Sequence, residues 1–249
     1  MRELRFFAAA LGFLTRLPVY RLLQTSPDDL REATRYFPLV GIVVGGVAFI
    51  SYWMVANVLP PDMAMIASMV VSIYLTGALH EDGLADAADG LGGGWSKAQT
   101  LTIMQDSRIG TYGVIALGLM LFAKFEALVN MPLALLAMVL IAAHTVSRLA
   151  MVLVIYRQQY VRDDGKASAV AGGLGSNALI VAGIFGLLPL VALPWQVAIS
   201  GLMASLLAGG WFARKLQKRL GGYTGDCLGA MQQLTELAFY IGILVWVGY

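Results

Sequence analysis

The chain has 249 residues, of which 59% are hydrophobic and only 13% charged, with a net charge of +2 and a mean hydropathy of +0.74. A soluble domain usually carries about 25% charged residues, so this chain cannot cover a globular surface with solvated groups, and much of that surface must face lipid. The single cysteine, Cys227, excludes an internal disulfide framework, no linker points to a separate soluble domain, and the small charge excess gives no reason to expect a nucleic-acid partner.

The opening Met1-Arg-Glu-Leu-Arg5 is basic, but Arg16 and Leu17-Pro18 interrupt the apolar run that follows, so it does not read as a cleaved signal peptide. Residues 4–17 predict an interfacial or half-buried helix. Stretches long enough to cross a bilayer follow at about 36–56, 62–80, 110–129, 132–155, 176–193, 196–212 and 232–248. The fifth and sixth are short, and Pro189, Pro194, Gly209 and Gly210 lie in or between them, so they form either two spans or a broken or re-entrant pair. The expected fold is all-α: one polytopic membrane domain over residues 1–249, with about seven transmembrane helices, or six if that pair does not cross twice.

All but two of the 17 Lys and Arg residues fall in segments 1–35, 81–109, 157–175 and 213–231, while the alternate connections and the C-terminal end hold none. The positive-inside rule then places the N-terminus and every long polar loop in the cytoplasm, and an odd number of spans places the C-terminus outside. The two exceptions, Lys124 and Arg148, lie within spans, with His144 one turn from Arg148. Ionisable groups at such depth usually face an interior cavity. A transporter would place them along a pathway through the membrane, whereas here most gather at one edge.

The strongest chemical signal is His80-Glu-Asp-Gly-Leu-Ala-Asp-Ala-Ala-Asp-Gly90. On a helix, Asp82, Asp86 and Asp89 stand at i, i+4 and i+7 and share one face within a spread of about 60°. Three like charges on one face repel unless a cation sits among them, and an all-oxygen ligand set favours Mg²⁺ or Mn²⁺ over Zn²⁺. Glu81 points off that face. His80 is placed either to orient a carboxylate or to carry a proton.

Further along, Gln105-Asp-Ser-Arg-Ile-Gly110-Thr-Tyr-Gly113 offers Arg108 as a fork for phosphate oxygens and Asp106 as a metal ligand or a partner for Arg108. Arg162-Asp-Asp-Gly-Lys166 reads as a solvated turn with Lys166 as a candidate substrate contact. Arg214, Lys215, Lys218 and Arg219 form a basic run that fits anionic lipid. After it, Gly221-Gly-Tyr-Thr-Gly-Asp226 suits a loop folded against a ligand, with Lys218, Gly222 and Tyr223 as candidate contacts and Asp226 as a further metal ligand. No nucleophile–base pair, dinucleotide fingerprint or P-loop spacing is present. Carboxylates for a divalent metal, cations for phosphate and glycine-rich loops beside a hydrophobic interior together suit phosphoryl transfer to or from an amphipathic substrate.

The acidic motif, Asp106-Ser-Arg-Ile-Gly-Thr-Tyr-Gly113 and Gly221-Gly-Tyr-Thr-Gly-Asp226 closely resemble the cobalamin synthase family, the adenosylcobinamide-GDP ribazoletransferases. Phe13-Leu-Thr-Arg-Leu-Pro18 and Tyr36-Phe-Pro-Leu-Val-Gly41 extend the resemblance over essentially the whole chain. It implies an Mg²⁺-dependent enzyme of the bacterial cytoplasmic membrane. That enzyme joins adenosylcobinamide-GDP to α-ribazole, or to its 5'-phosphate, and yields adenosylcobalamin, or its 5'-phosphate, with GMP. On that expectation Asp82, Asp86 and Asp89 hold the metal, Asp226 or Asp106 completes a second site, and Arg108 neutralises charge on the transferring group. The general base is a motif carboxylate or His80. A homo-oligomer, and association with other enzymes of nucleotide-loop assembly, stay open. Two other readings fit the sequence less well: a CDP-alcohol phosphotransferase, whose D-G-x-x-A-R signature fails at Asp86, and a transporter.

Overall fold

The computed structural model describes residues 2–19, 27–162 and 174–248. Helix α1 (Arg2–Leu14) buries Phe6, Ala9, Ala10 and Leu14 and leaves Leu4 exposed, the one-sided pattern of a half-buried helix. Helix α2 (Pro27–Ala33), a 3-10 turn (Thr34–Tyr36) and α3 (Phe37–Ala56) run on as one apolar helix of membrane length, Asp29–Ala56. Gly45 of α3 lets that helix lie so close to the fourth apolar stretch that a Cβ there would stand 2.6 Å from the Cα of Ile141.

Helices α4 (Pro61–Thr76) and α5 (Leu79–Gly93) together have the length and apolarity of a span, but they are bent by 85°. Two consecutive left-handed residues make the bend, Gly77 at φ 66° and Ala78 at φ 57°. Their amides bond back to Tyr74 and Ile73 and close the C-terminus of α4. The turn is braced from outside by Arg16, whose backbone N–H donates to the Leu75 carbonyl at 2.8 Å.

Helix α6 (Lys97–Gln105) is capped by Ser96, whose hydroxyl accepts from the Gln99 amide. Helices α7 (Thr111–Val129) and α8 (Leu133–Arg157) follow, then the short α9 (Ser176–Leu187) with a 3-10 turn (Leu188–Ala192). The chain ends with α10 (Trp195–Leu220) and α11 (Gly225–Val247). Helices α8 and α11 form the centre, with 78% and 72% of their apolar windows buried. Trp53, Phe122 and Leu207 point outward from the helices around them, as a lipid-facing surface requires.

Among the described residues, five helices are long and apolar enough to cross a membrane, and six if the bent pair is one span. The fold is therefore an all-α polytopic membrane protein. Ser176–Ala192 is apolar but shorter than a full span. Of the four residues that left a broken pair open for 176–212, Pro189 lies in a 3-10 turn and Pro194 precedes α10, whereas α10 continues unbroken through Gly209 and Gly210; a sharp bend also stands at Gly77 and Ala78. Residues 213–220, read from sequence as loop, are the last turns of α10, so the basic run is helical.

Candidate active site

Gly83 of α5 packs against Gly229 of α11 with their backbones in contact. This crossing sets the acidic helix beside the N-terminus of α11, where Thr224 caps the first turn by accepting from the Cys227 amide. Asp226 is in that turn. Asp86 consequently lies within the fields of Asp226, Asp82, Arg162 and Asp89. Asp82 and Asp226 line a cavity of about 240 Å³ with Arg162, Tyr160 and His80, and Phe13, Leu14, Met151 and Leu228 form apolar wall.

Arg162 reaches this cavity through a short two-strand clasp. The Val161 amide donates to the Tyr223 carbonyl at 3.0 Å, and the Tyr223 amide donates to the Gln159 carbonyl at 2.9 Å. The Tyr160 and Tyr223 rings meet edge to face, 5.6 Å apart. Gly222 permits the clasp, since a Cβ there would lie 2.7 Å from Cγ1 of Val161. Burial and the neighbouring Tyr160 push the Tyr223 phenol up to about 12. Thus held, Arg162 donates from Nη1 to Oδ2 of Asp226 at 2.9 Å, while its buried Nε and Nη2 have no hydrogen-bond partner among the described residues. Two unpartnered guanidinium nitrogens beside carboxylates fit an anionic ligand entering the cavity.

The other sequence candidates divide. Asp89 stays within the field of Asp86, but both its oxygens are engaged: they accept from the amides of Gly110 at 2.7 Å and Gly113 at 2.9 Å, pinning the start of α7. The I-G-x-x-G pattern is explained here, because a side chain at either glycine would collide with that carboxylate. Asp106 and Arg108 pair with each other on the surface, with contacts at 2.7 and 3.0 Å, and Arg108 is 87% exposed. Hydrogen bonds from Arg108 hold the Asp106 carboxyl down to about 2. Lys218 is exposed on α10, Tyr223 and Gly222 belong to the clasp, and Lys166 lies outside the described residues. Arg162 and Tyr160 were not singled out from sequence as site residues; their only signal was an Arg just past a span.

A second polar cluster lies deeper. Lys124 of α7 bonds Glu236 of α11 at 2.7 Å, and Nδ1 of His144 stands 3.1 Å from the same carboxylate. Gln232 also donates to Glu236 and contacts Ser147. Arg148, fully buried, donates from Nη1 to the His144 carbonyl at 3.0 Å and reaches Nε2 of His80 with Nη2 at 3.3 Å. Glu81 is buried and accepts from Gln233 at 2.9 Å. His80 lines both this cluster and the carboxylate cavity.

Among the described residues, no three His, Cys, Asp or Glu side chains converge closely enough to hold an ion alone. The oxygen donors Asp82, Asp86 and Asp226 nevertheless fit Mg²⁺, which commonly binds through one or two carboxylates and completes its shell with substrate phosphates and water.

An all-α membrane domain with facing carboxylates, a half-satisfied arginine and an apolar-walled cavity defines a membrane-embedded protein built to handle an anionic, amphipathic ligand. The family model described as cobalamin-5-phosphate synthase matches residues 6–244, and the chain belongs to that family. It is 42% identical over 254 residues to an adenosylcobinamide-GDP ribazoletransferase of Shewanella frigidimarina, covering 98% of this chain and 95% of the relative. Proteins of the same description from Shewanella baltica and a further Shewanella species are 39% and 40% identical, with the same coverage. No solved structure matches.

Proposed function

We propose that this chain transfers the adenosylcobinamide phosphate group from adenosylcobinamide-GDP to α-ribazole or its 5'-phosphate. A bond forms between a ribose hydroxyl oxygen of the ribazole, one that stays free when the 5' position carries a phosphate, and the phosphorus attached to cobinamide. The bond from that phosphorus to the bridging diphosphate oxygen breaks, and GMP leaves. The hydroxyl proton passes to a cavity carboxylate or, on the sequence reading, to His80. The observation that carries the reading is the meeting of Asp82, Asp226 and Arg162, with two guanidinium nitrogens unpartnered among the described residues, over one apolar-walled cavity.

Asp82, Asp86 and Asp226 would hold Mg²⁺, which when bound supplies charge neutralisation of the diphosphate and orients the reacting oxygens. Arg162 binds a phosphate oxygen with its free nitrogens while Asp226 keeps its fork in place. Phe13, Leu14, Met151 and Leu228 exclude water and accept the apolar parts of the substrates.

Residues 1–249 act as one domain in the bacterial cytoplasmic membrane, with Ser176–Ala192 as a short seventh crossing and the cavity open to the cytoplasm. The side holding Arg157, Arg162, Lys218 and Arg219 is the side the positive-inside rule assigns to the cytoplasm. The test is reconstitution in liposomes with adenosylcobinamide-GDP and α-ribazole, with and without Mg²⁺. Metal-dependent release of GMP with matching corrinoid product is expected. Folded protein that yields neither, yet releases CMP from a CDP-alcohol, would put the phosphotransferase reading in its place.

A further inference from the structure

Helix α5 has a second face. At about 100° per residue, Leu84, Ala87, Ala88 and Leu91 point away from Asp82 and Asp86. They floor a groove of about 340 Å³, walled by Tyr112 and Ile115 of α7 and by Trp211 and Phe212 of α10. Beside it is a basic hollow of about 410 Å³, lined by Arg214, Lys215, Lys218 and Arg219. Trp211 and Lys215 line both spaces, with Nζ of Lys215 5.4 Å from the centre of the Trp211 ring. Arg219 donates to the carbonyl of Gly94, the residue that caps the C-terminus of α5, so the hollow is tied to the acidic helix. Among the described residues, no Asp or Glu lines either space and none of the four cations pairs with a carboxylate. Earlier along α10, Met203, Leu207 and Trp211 stand at i, i+4 and i+8 and are half or more exposed, so the apolar wall continues up the lipid-facing side of the helix.

We infer that this groove seats one anionic phospholipid, with its phosphate among Arg214, Lys215, Lys218 and Arg219 and an acyl chain against Leu84, Ala88 and Leu91, and that the lipid backs α5 from the side opposite the carboxylate cavity. The order of residues along α10 matches that occupant. Cations stand at the end that the positive-inside rule assigns to the cytoplasm, Trp211 at the boundary, and apolar side chains beyond it. A soluble phosphate compound would use the cations and leave the apolar groove unfilled. The effect on α5 rests on the phosphoryl-transfer reading above, because α5 carries Asp82 and Asp86; the lipid seat does not rest on it.

Two measurements test this separately. The full chain is reconstituted in phosphatidylcholine liposomes carrying a minor fraction of either phosphatidylglycerol or phosphatidylcholine brominated on its acyl chains. Bromine quenches nearby tryptophan, and subtracting the Trp211→Phe signal isolates Trp211. We expect brominated phosphatidylglycerol to be preferred at Trp211 about tenfold or more, since each Lys or Arg beside an anionic headgroup contributes about fivefold. Arg214→Gln combined with Lys215→Gln should remove most of that preference. Ala116→Leu, on the groove wall, keeps all four cations but fills the groove, and should lower the quenching too. Equal quenching by the two lipids in the parent removes the seat. A preference undiminished in Ala116→Leu makes the lipid ordinary boundary lipid drawn by charge alone. Quenching lost on adding inorganic diphosphate at constant ionic strength gives the cations to a soluble ligand instead. In turnover assays, the parent should run about tenfold slower in phosphatidylcholine alone than with phosphatidylglycerol, less than the cost of a full 1 Å displacement of α5. The Arg214→Gln, Lys215→Gln variant should be equally slow in both. Equal parent rates in the two lipids, with the quenching preference intact, separate the lipid from α5 and overturn its supporting role. If the parent turns over adenosylcobinamide-GDP in neither lipid, the reaction reading fails, and the quenching ratio still decides the seat.

Discussion

The Cβ that Gly83 lacks would stand 3.2 Å from the Cα of Gly229, and the Cβ that Gly229 lacks would stand 3.1 Å from the Cα of Gly83. This contact fixes how far Asp82 and Asp86 sit from Asp226. Adding a methyl at either position must shift backbone rather than a flexible side chain. Displacements of about 1 Å at a reacting centre cost on the order of a hundredfold in rate. Gly83→Ala and Gly229→Ala should lower kcat at least tenfold on that scale, and Gly83→Val more. Gly46→Ala, with open space around it, serves as the control. Unchanged kcat in both site variants would dissociate the helix crossing from catalysis.

Arg162 and Arg108 are separated by a kinetic comparison. A charged hydrogen bond contributes roughly 1.5–3 kcal/mol, so Arg162→Gln should raise KM for the diphosphate substrate about 10- to 100-fold and leave KM for α-ribazole nearly unchanged. Arg108→Gln, on an exposed side chain already paired with Asp106, should change KM less than about threefold. The reverse ranking would return the phosphate-binding role to Arg108.

The buried pair Lys124–Glu236 makes a different prediction, about stability. Removing one partner leaves a charge uncompensated in the interior, which costs about 3–5 kcal/mol, whereas replacing both by neutral groups costs much less. Lys124→Met should therefore lower the unfolding temperature in detergent more than Lys124→Met combined with Glu236→Gln. A double variant less stable than the single one would contradict this; His144, 3.1 Å from the same carboxylate, is the residue to alter next.

Asp89 is expected to act on the fold. Asp89→Ala frees the amides of Gly110 and Gly113 at the start of α7 and should cost about 2 kcal/mol, as loss of a strong helix cap does. Asp106→Asn should leave the unfolding temperature close to that of the parent. Parent-like melting of Asp89→Ala together with complete loss of turnover would return Asp89 to the metal shell.

Chelation supplies a fifth contrast. EDTA should abolish turnover and Mg²⁺ restore it. Asp86→Asn and Asp226→Asn should raise the half-saturating Mg²⁺ concentration, because each removes a charged oxygen ligand. Asp106→Asn should not. A titration in which all three variants follow the parent would remove these carboxylates from any metal role.

Hydropathy placed the apolar stretches to within a few residues for α7, α8 and α9, because in those segments lipid and core demand the same residue types. It failed where polarity and helicity diverge. Arg214 to Arg219 are charged and yet helical, since the end of α10 leaves the apolar layer without unwinding. The α4–α5 bend had Gly77 as its only hint, and Ala78 at positive φ is invisible to any residue preference. Helical spacing put Asp82, Asp86 and Asp89 on one face, but it did not show that Asp82 meets Asp226 across the cavity while Asp89 accepts from the amides of Gly110 and Gly113. A face wide enough for three carboxylates meets different neighbours along its length, and those neighbours come from α7 and α11. Lys124 and Arg148 were legible as interior charges. Their partners were not, because Glu236 follows Lys124 by 112 residues and nothing local links the two.

That separation has a consequence for how the protein is made. The ribosome delivers α7 to the membrane before α11 is synthesised, so Lys124 enters without Glu236, its partner 112 residues later on α11. Each helix alone is a poor guest in lipid. The two become acceptable when the last helix slots beside the others, and that arrival also delivers Asp226 to the acidic helix. Completion of the site and relief of the charge penalty are thus a single late event in biogenesis. A chain released before its final helix would leave Lys124 without this partner and the cavity without Asp226.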